Sequence, residues 1–389
     1  MIGAVSSTNN YKAESECGLT PLESRRKLAT IKFTNKIRSV TDHHISNKTF
    51  KAWNGKTRLK RSSTLQFDKE IRMEINLQHE DLTYVQETSI PINPPSKATI
   101  NLNLLRPCTK NEPAAVIKEK GLHTICELSN STQNLAIAFT DGSSDSSLDR
   151  GGAGIYLTYA NGNSESRKIS VGKIASNYTC ELVAIKEALS LYYNRYIQNS
   201  NGLLVFSDSH SALQAILKGN SQLTQDIILL LNEITTAQRT CILQWIPAHV
   251  GIDGNEKANI LAKEARDAPQ LSNSLTLTDA DAIASRRLLP SSSQKHSIPA
   301  LNCDRAVSTT IARLRTKHFK GMKISPDGHR SYRSCPHCPD TELCPDHIFG
   351  CPAILAKLHR IHLDPPHHLL YSTEVIDVAK TVLDTYGQI

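Results

Sequence analysis

The feature that most constrains the fold of this chain is an ordered series of strand and helix patterns between residues 133 and 268. Three short strand patterns come first, "QNLAIAFTDGS", "GGAGIYLTYA" and "ESRKISVGK", and their alternation and turns favour an antiparallel meander. A helix pattern over 177–198 then precedes the buried strand pattern "GLLVFSDS". Two more helix patterns, the strand "CILQWIPAH" and the helix "GNEKANILAKEARDA" complete the order βββαβααβα. This order predicts an α/β fold with a mixed five-stranded sheet flanked by helices.

The remaining sequence differs in composition from this central region. The chain has 389 residues, which is enough for more than one domain with its own core. We expect an irregular N-terminal flank with one helix near 22–37, and a C-terminal flank that contains cysteines and histidines. The predicted organisation is a basic helical tail, a polar linker, the α/β domain, a second linker and a helical C-terminal region, over residues 1–55, 56–130, 131–268, 269–300 and 301–389.

Three acids occupy positions in the central region where their side chains could meet. Asp141 and Asp208 end strand patterns, in "FTDGSS" and "VFSDSH", and Glu181 lies in the first turns of the helix "NYTCELVAI". Each strand-terminal Asp taken alone is also typical of a turn. Three adjacent carboxylates repel one another unless a cation neutralises them, and Mg²⁺ prefers carboxylate oxygens. The spacing therefore predicts a metal site for phosphoryl-transfer chemistry.

Four blocks in this region resemble a type 1 ribonuclease H domain: "FTDGS", "NYTCELVAIKEAL", "VFSDSHSAL" and "WIPAHVGIDGNEKANILAKEA". The resemblance spans 135–266 and implies hydrolysis of the RNA strand of RNA/DNA hybrids with Mg²⁺ or Mn²⁺. It implies that His249 assists proton transfer or product release, and that Asn177 contacts the hybrid backbone at the minor groove. The metal ligands implied by the resemblance are Asp141, Glu181 and Asp208.

One residue departs from the family pattern. The fourth carboxylate of the family is the aspartate of "NExxD", and Asn259 stands at that position here. Loss of this charge predicts weaker occupancy of one metal and slower cleavage, with Asp253 and Glu256 as the nearby acids that could compensate. The alternative is a catalytically disabled, nucleic-acid-binding remnant. An integrase-like nuclease would share the fold, but the loop "AHVGIDGNE" argues against that substrate class.

Positive charge is concentrated outside the central region. The formal net charge is +8, whereas residues 131–268 carry 11 Lys and Arg against 13 Asp and Glu. The stretch from Arg25 to Arg61 holds 12 basic residues and one acid, a composition that favours contact with phosphates but is also typical of a solvated basic surface. Some family members bind the hybrid through a basic helix in this part of the domain. Here the stretch Ser209–Gln238 contains only Lys218 as a basic residue. We therefore expect the flanks or a partner to supply nucleic-acid contacts.

The C-terminal flank contains a candidate zinc site. Its Cys-x2-Cys-x8-His-x3-Cys spacing suits a tetrahedral structural Zn²⁺, with the last two residues expected on one helix face. His337 and Cys344 are spare candidates, and ordinary reduced cysteines are the alternative. The proposed ligands are Cys335, Cys338, His347 and Cys351.

Both flanks resemble segments of non-LTR retrotransposon polyproteins. "CGLTPLESRRKLATIKFTNKI" is similar to the segment that follows their reverse transcriptase, and the Cys/His cluster is similar to their tail. No polymerase "YxDD" motif is present, so we expect a C-terminal fragment without the polymerase. The N-terminus lacks the apolar segment of a signal peptide and no apolar run is long enough to span a bilayer. These features predict an intracellular protein of the nucleus or cytoplasm.

Overall fold

The structure is a computed structural model, and it describes residues 21–52, 63–77, 82–87, 90–109, 111–131, 133–159, 161–270, 272–289, 302–325, 329–359, 369–372 and 374–389. Two compact units are present. One comprises residues 27–288, and the other contains the described residues of 1–26 and 289–389. Within the described ranges, no helix is both long and apolar enough to cross a membrane.

Short elements precede the central sheet. They are α1 Leu22–Ser39, α2 Ile45–Ala52, α3 Thr64–Glu74, β1 Thr83–Tyr84, β2 Ala98–Asn101 and α4 Ala114–Asn130. The predicted N-terminal helix is confirmed as α1, and the part of the basic stretch after residue 52 lies outside the described residues. The stretch predicted as a polar linker contains β2 and the 17-residue helix α4.

The central region has the predicted order of elements: β3 Leu135–Ser144, β4 Gly151–Thr158, β5 Ser164–Gly172, α5 Asn177–Arg195, β6 Gly202–Ser207, α6 His210–Lys218, α7 Gln222–Thr236, β7 Thr240–Trp245 and α8 Asp253–Asp267. The antiparallel meander is confirmed, because β4 pairs antiparallel with both β3 and β5. Strands β3, β6 and β7 are parallel neighbours. The carboxyl ends of β3 and β6 therefore meet at one edge of the sheet, as predicted.

The sheet has one strand more than the sequence predicted. Strand β2 pairs parallel with β7 and gives the order β2-β7-β6-β3-β4-β5. The main core lies between this sheet and helices α5 to α7, and includes Leu182, Ile185, Leu189 and Tyr192 from the predicted apolar face of α5. The opposite side of the sheet packs against α8, where the backbone of Gly154 approaches Ala258 so closely that an added Cβ would lie 2.1 Å from its carbonyl oxygen.

The last elements of the larger unit are β8 Ser274–Leu275, which pairs parallel with β1, and α9 Leu277–Leu288. Helix α9 shares an apolar cluster with the N-terminal helices, in which Ile31, Ile71 and Ile283 are buried. A buried ion pair joins α1 to α3, since Asp68 accepts hydrogen bonds from Arg38 at 2.7 Å and from Arg72 at 2.9 Å. The N-terminal helices are thus integrated with the segment that follows the central domain.

The C-terminal unit has its own core. Its elements are α10 Arg305–Thr316, β9 Lys323–Ile324, β10 Arg330–Ser331, α11 Pro352–Leu358 and α12 Val375–Tyr386. Strands β9 and β10 form an antiparallel pair. Buried residues from α10, α11 and α12, among them Ile311, Ile354 and Val382, form one apolar cluster with Cys335 and Cys351 of the cysteine-rich segment.

Candidate functional site

The three predicted acids are brought together at the carboxyl edge of the sheet. Asp141 lies in β3 beside the end of β6, Asp208 follows β6 directly, and Glu181 is in the second turn of α5. One carboxylate oxygen from each residue lies within 4.8 Å of the others. Asp141 and Glu181 are buried, with 5% and 3% of their surface exposed, and Asp208 is half-buried. The geometry is that of a small acidic cluster in which Asp208 is the most exposed member.

A glycine permits this convergence. The backbone of Gly142, next to Asp141, touches the first turns of α5, and an added Cβ would lie 2.4 Å from the amide nitrogen of Glu181 and 2.7 Å from the carbonyl carbon of Cys180. Any side chain at this position would push α5 away from β3. The distance between the carboxylates of Asp141 and Glu181 therefore depends on direct backbone contact.

Burial and mutual repulsion disfavour ionisation of the cluster. Burial, followed by the charge of Asp208, raises the pKa of Asp141 to about 7. Burial, followed by the charges of Asp141 and Asp208, raises the pKa of Glu181 well above its usual range. Glu181 Oε2 is buried and has no hydrogen-bond partner among the described residues. A buried, unpaired carboxylate oxygen inside an acidic cluster fits a divalent cation, which would satisfy that oxygen and offset the repulsion.

Asp208 is held by two residues that sequence analysis did not select. Asn255 Nδ2 donates to Asp208 Oδ2 at 2.9 Å, and the indole of Trp245 donates to the Asp208 carbonyl at 3.1 Å. Burial raises the pKa of Asp208, whereas the Asn255 hydrogen bond and the charge of His249 oppose that rise. Asn255 is itself 2% exposed, so the amide is a fixed part of the site. Its place in the "GNE" block was the only signal for it in the sequence.

The two other predicted residues, His249 and Asn177, are exposed and lie outside the set of three carboxylates. His249 is exposed on the loop between β7 and α8, and its φ of +54° is the left-handed conformation that residues with a side chain rarely adopt. Asn177 is the exposed first residue of α5, after the cap residue Ser176. Both side chains are therefore accessible from solvent.

Comparison with known proteins gives the family of the central segment. Residues 133–267 match the RNase H family model. The matched RNase H domain covers about a third of the chain. A solved structure, RNase H1 from the halophilic archaeon Halobacterium salinarum NRC-1, has 20% sequence identity, covers 34% of this chain and 98% of that chain, and has a TM-score of 0.29. No curated protein matches the chain. The six-stranded mixed sheet flanked by helices is consistent with the RNase H fold.

Asn259 lies on the side of α8 that borders the acidic cluster of the RNase H domain. Residues four apart share a helix face, and Asn255, Asn259 and Lys263 are spaced in this way. Asn255 contacts Asp208, and the charge of Lys263 acts on Asp141. The half-buried Asn259 is between them along the helix and so occupies the intervening turn of this face. Neither Asp253 nor Glu256 belongs to the carboxylate cluster in the described structure.

The predicted Cys/His cluster is assembled in the C-terminal unit. Ligand atoms of its four residues lie within 4.8 Å of one another, and Cys351 Sγ is 3.9 Å from Cys335 Sγ and 3.6 Å from Cys338 Sγ. His347 Nε2 is buried and has no hydrogen-bond partner in the described part of the chain. Three thiols and an unpaired imidazole nitrogen are a suitable ligand set for Zn²⁺.

Two details of the cluster differ from the sequence expectation. His347 and Cys351 lie in a turn before α11, closed by a hydrogen bond from the Cys351 amide to the His347 carbonyl at 2.9 Å, and not on a helix face. The spare candidates have other contacts, since His337 Nε2 is 2.9 Å from the Thr385 carbonyl and Cys344 Sγ accepts from the His347 amide at 3.4 Å.

Proposed function

We propose that the protein is a metal-dependent endoribonuclease that hydrolyses the RNA strand of RNA/DNA hybrids. The observation that carries the proposal is the convergence of Asp141, Glu181 and Asp208 within 4.8 Å, inside the segment that matches RNase H. The unpaired Glu181 oxygen supports a cation at this place. Asp208 is only half-buried, so the cluster is not fully closed off from solvent.

Each residue of the site has a distinct role in this proposal. Asp141, Glu181 and Asp208 would hold Mg²⁺ or Mn²⁺, which when bound promotes ionisation of water and stabilises charge on the leaving oxygen. Asn255 orients the Asp208 carboxylate through its hydrogen bond. His249, on its exposed loop, can donate a proton to the leaving oxygen, which then departs as a hydroxyl group of the product. Asn177 contacts the sugar-phosphate backbone in the minor groove, where 2′-hydroxyls distinguish RNA from DNA.

Asn259 supports a second candidate function. An amide at this position gives the site one formal charge fewer than the family's four carboxylates provide, and the described structure brings no other acid into the cluster. A chain that retained the fold but had lost turnover would still bind nucleic acid. The two functions differ only in whether the unaltered chain cleaves hybrid.

Basic residues outside the RNase H domain support binding to a polyanion. On α1 and α2, Lys32, Lys36 and Lys48 are exposed, and Phe33 between the first two is 57% exposed. Lysines with an adjacent aromatic ring can contact phosphates and bases together. The resemblance of both flanks to non-LTR retrotransposon polyproteins supports an origin in such an element.

The test is cleavage of a labelled RNA/DNA hybrid in Mg²⁺ or Mn²⁺ by the unaltered chain, Asn259→Asp and Asp141→Asn. We expect slow cleavage by the unaltered chain, a rate about tenfold higher for Asn259→Asp, equivalent to ~1.4 kcal/mol of barrier, and none for Asp141→Asn. Cleavage by Asn259→Asp alone would establish the disabled remnant. Absence of cleavage by all three folded proteins would contradict the metal-site assignment.

We also propose that Cys335, Cys338, His347 and Cys351 bind a structural Zn²⁺. The close thiols and the unpaired His347 nitrogen support it. Burial opposes ionisation of Cys351, but the neighbouring Tyr386 hydroxyl, the Ala353 amide and the two other thiols lower the pKa of this thiol to about 7. A thiolate would therefore be available at neutral pH for the metal.

A further inference from the structure

A buried carboxylate outside the RNase H domain accepts hydrogen bonds from the helix that carries Glu181. Asp279 lies on α9, after the matched segment, and is 2% exposed. Its Oδ1 accepts hydrogen bonds from the Ser176 amide at 2.9 Å and from the Thr179 hydroxyl at 2.8 Å. Its Oδ2 accepts from the Thr276 hydroxyl at 2.8 Å, and the Asp279 amide donates back to that hydroxyl at 3.1 Å. The carboxylate is thus fixed on its own helix and bound to α5.

The two α5 residues that Asp279 holds are adjacent to functional positions. Ser176 caps the helix directly before Asn177, and Thr179 is two residues before Glu181. The Ser176 side chain also accepts from the Thr179 amide at 3.3 Å, which ties the two contact points to each other. A negative group at a helix N-terminus is also favoured by the helix dipole. Asp279 therefore fixes the first turn of α5, and through it Asn177 and Glu181.

The site tolerates little movement of this turn. The amide of Glu181 touches the backbone of Gly142, with no room for even a Cβ between them. A small displacement of the first turn would thus change the distance between the carboxylates of Glu181 and Asp141. Catalytic geometry is sensitive to such shifts.

Helix α9 is itself positioned by the N-terminal helices. Ile283 and Ala284 are fully buried against a cluster that contains Ile31 and Ile71. Arg287 donates to the Ile75 carbonyl at 2.8 Å and pairs with Asp149 at 2.7 Å. The position of Asp279 therefore depends on residues far outside the RNase H domain.

We infer that Asp279 is a positioning residue for metal binding and hybrid cleavage, because it sets the place of Glu181 relative to Asp141. The cleavage part of this inference rests on the proposed function, whereas the metal-binding part does not. Its hydrogen bonds to α5 are made with the Ser176 amide and the Thr179 hydroxyl, so Asp279 acts through the first turn of this helix.

The test uses the full chain with Asp279→Ala and Asp279→Asn. The control is Ile234→Ala, which removes a buried side chain from the end of α7, near the amino ends of the strands and away from the carboxylates. The primary measurement is the Mg²⁺ concentration that gives half-maximal thermal stabilisation. We expect Asp279→Ala to raise this concentration by about tenfold and to raise the hybrid KM. Asp279→Asn keeps an oxygen for Ser176 and Thr179 and should restore most of the loss. Ile234→Ala should lower Tm without changing the Mg²⁺ midpoint.

Thr179→Val is a second variant that removes one hydrogen bond from the α5 side and leaves Asp279 in place, so it remains informative where Asp279→Ala does not fold. We expect a smaller shift in the same direction. Unchanged Mg²⁺ midpoints in the folded variants, or an equal shift in Ile234→Ala, would overturn the inference. Shifted midpoints with no hybrid cleavage by any protein would support the positioning role and reject the proposed ribonuclease activity.

Discussion

At the scale of single residues, Asn255 illustrates what the spacing of a motif does not reveal. The three acids were predictable as neighbours, because they lie near the carboxyl ends of two adjacent strands and in the first two turns of a helix at the same sheet edge. The hydrogen bond from Asn255 to Asp208 joins positions 47 residues apart. Its existence depends on the side-chain orientation of α8 against β6, which no local pattern determines. The hydrogen bonds between Asp279 and α5 could not be predicted from the sequence for the same reason.

We expect Asn255→Ala to lower kcat for hybrid cleavage about tenfold, because Asp208 loses a hydrogen bond worth roughly 1.5–3 kcal/mol for a charged acceptor. KM should change little, since Asn255 is buried and does not reach substrate. Steady-state kinetics on a labelled hybrid measures both constants. Lys257→Ala, which removes an exposed ion pair with Asp253 on the same helix, is the control and should stay within about twofold of the unaltered chain. An equal loss in the control would reject the specific role.

The raised pKa of Asp141 predicts how stability depends on pH without metal. A carboxyl whose pKa is about 7 when folded and 3.8 when unfolded retains its proton in the folded state at intermediate pH. Its contribution to the free energy of unfolding is therefore full below pH ~4 and is lost as pH rises towards about 7. We expect urea denaturation in EDTA to show this decline between pH 5 and pH 7.5.

Asp141→Asn separates this contribution from the other titrating groups. The variant should be more stable than the unaltered chain at pH 7.5 by on the order of 2 kcal/mol, and the difference should shrink at pH 5. Saturating Mg²⁺ should reduce the difference at pH 7.5, because the cation binds the ionised cluster. Identical pH profiles for the two proteins would contradict the raised pKa.

At the scale of elements, the strands and helices of the central region were predictable because their apolar periods are long and their order is specific. Strand β2 was not, because it has four residues and pairs with β7 about 140 positions later. Helix α4 did carry a signal, a proline at position 113 followed by Ile117, Thr124, Ile125 and Leu128 at helical spacing. The prolines and polar residues around it favoured a linker and hid this pattern.

We expect the C-terminal unit to be fully folded only when a metal ion is bound by the Cys/His turn before α11. Purified protein should contain about one zinc per chain, and Co²⁺ substitution should give the intense absorption of a thiolate-rich tetrahedral site. Cys335→Ser and Cys351→Ser should lose the metal, and the unit should become sensitive to proteolysis. Cys344→Ser, whose sulfur lies beside the cluster but outside the set of four, should retain the metal. Full metal content in all three variants would reject the assigned ligands.

At the scale of the whole molecule, the larger compact unit extends well beyond the segment that resembles a known family. The matched residues are 133–267, whereas the unit comprises 27–288. Helix α4 covers the loop that leads to α8: an added Cβ on Gly121 would lie 3.1 Å from both Pro247 and Ile252. Strand β2 covers the edge of β7, and α9 supplies Asp279. The sequence placed the domain boundary at 131–268, because the regular strand and helix patterns and the family motifs all lie inside it.

A fragment of residues 131–268 should therefore fold poorly compared with a fragment of residues 21–288. Removal of α4 exposes Ile246 and Ile252, which are almost fully buried, and burying one such side chain contributes roughly 1.5–3 kcal/mol. Together they amount to ~4 kcal/mol, which lowers Tm by roughly 10 °C in a domain of this size. Calorimetry of both fragments measures the difference, and Mg²⁺ titration shows whether the shorter one also loses metal affinity through the missing Asp279. Equal Tm and equal Mg²⁺ affinity would mean that the added elements are accessory, and that the RNase H domain alone forms the site.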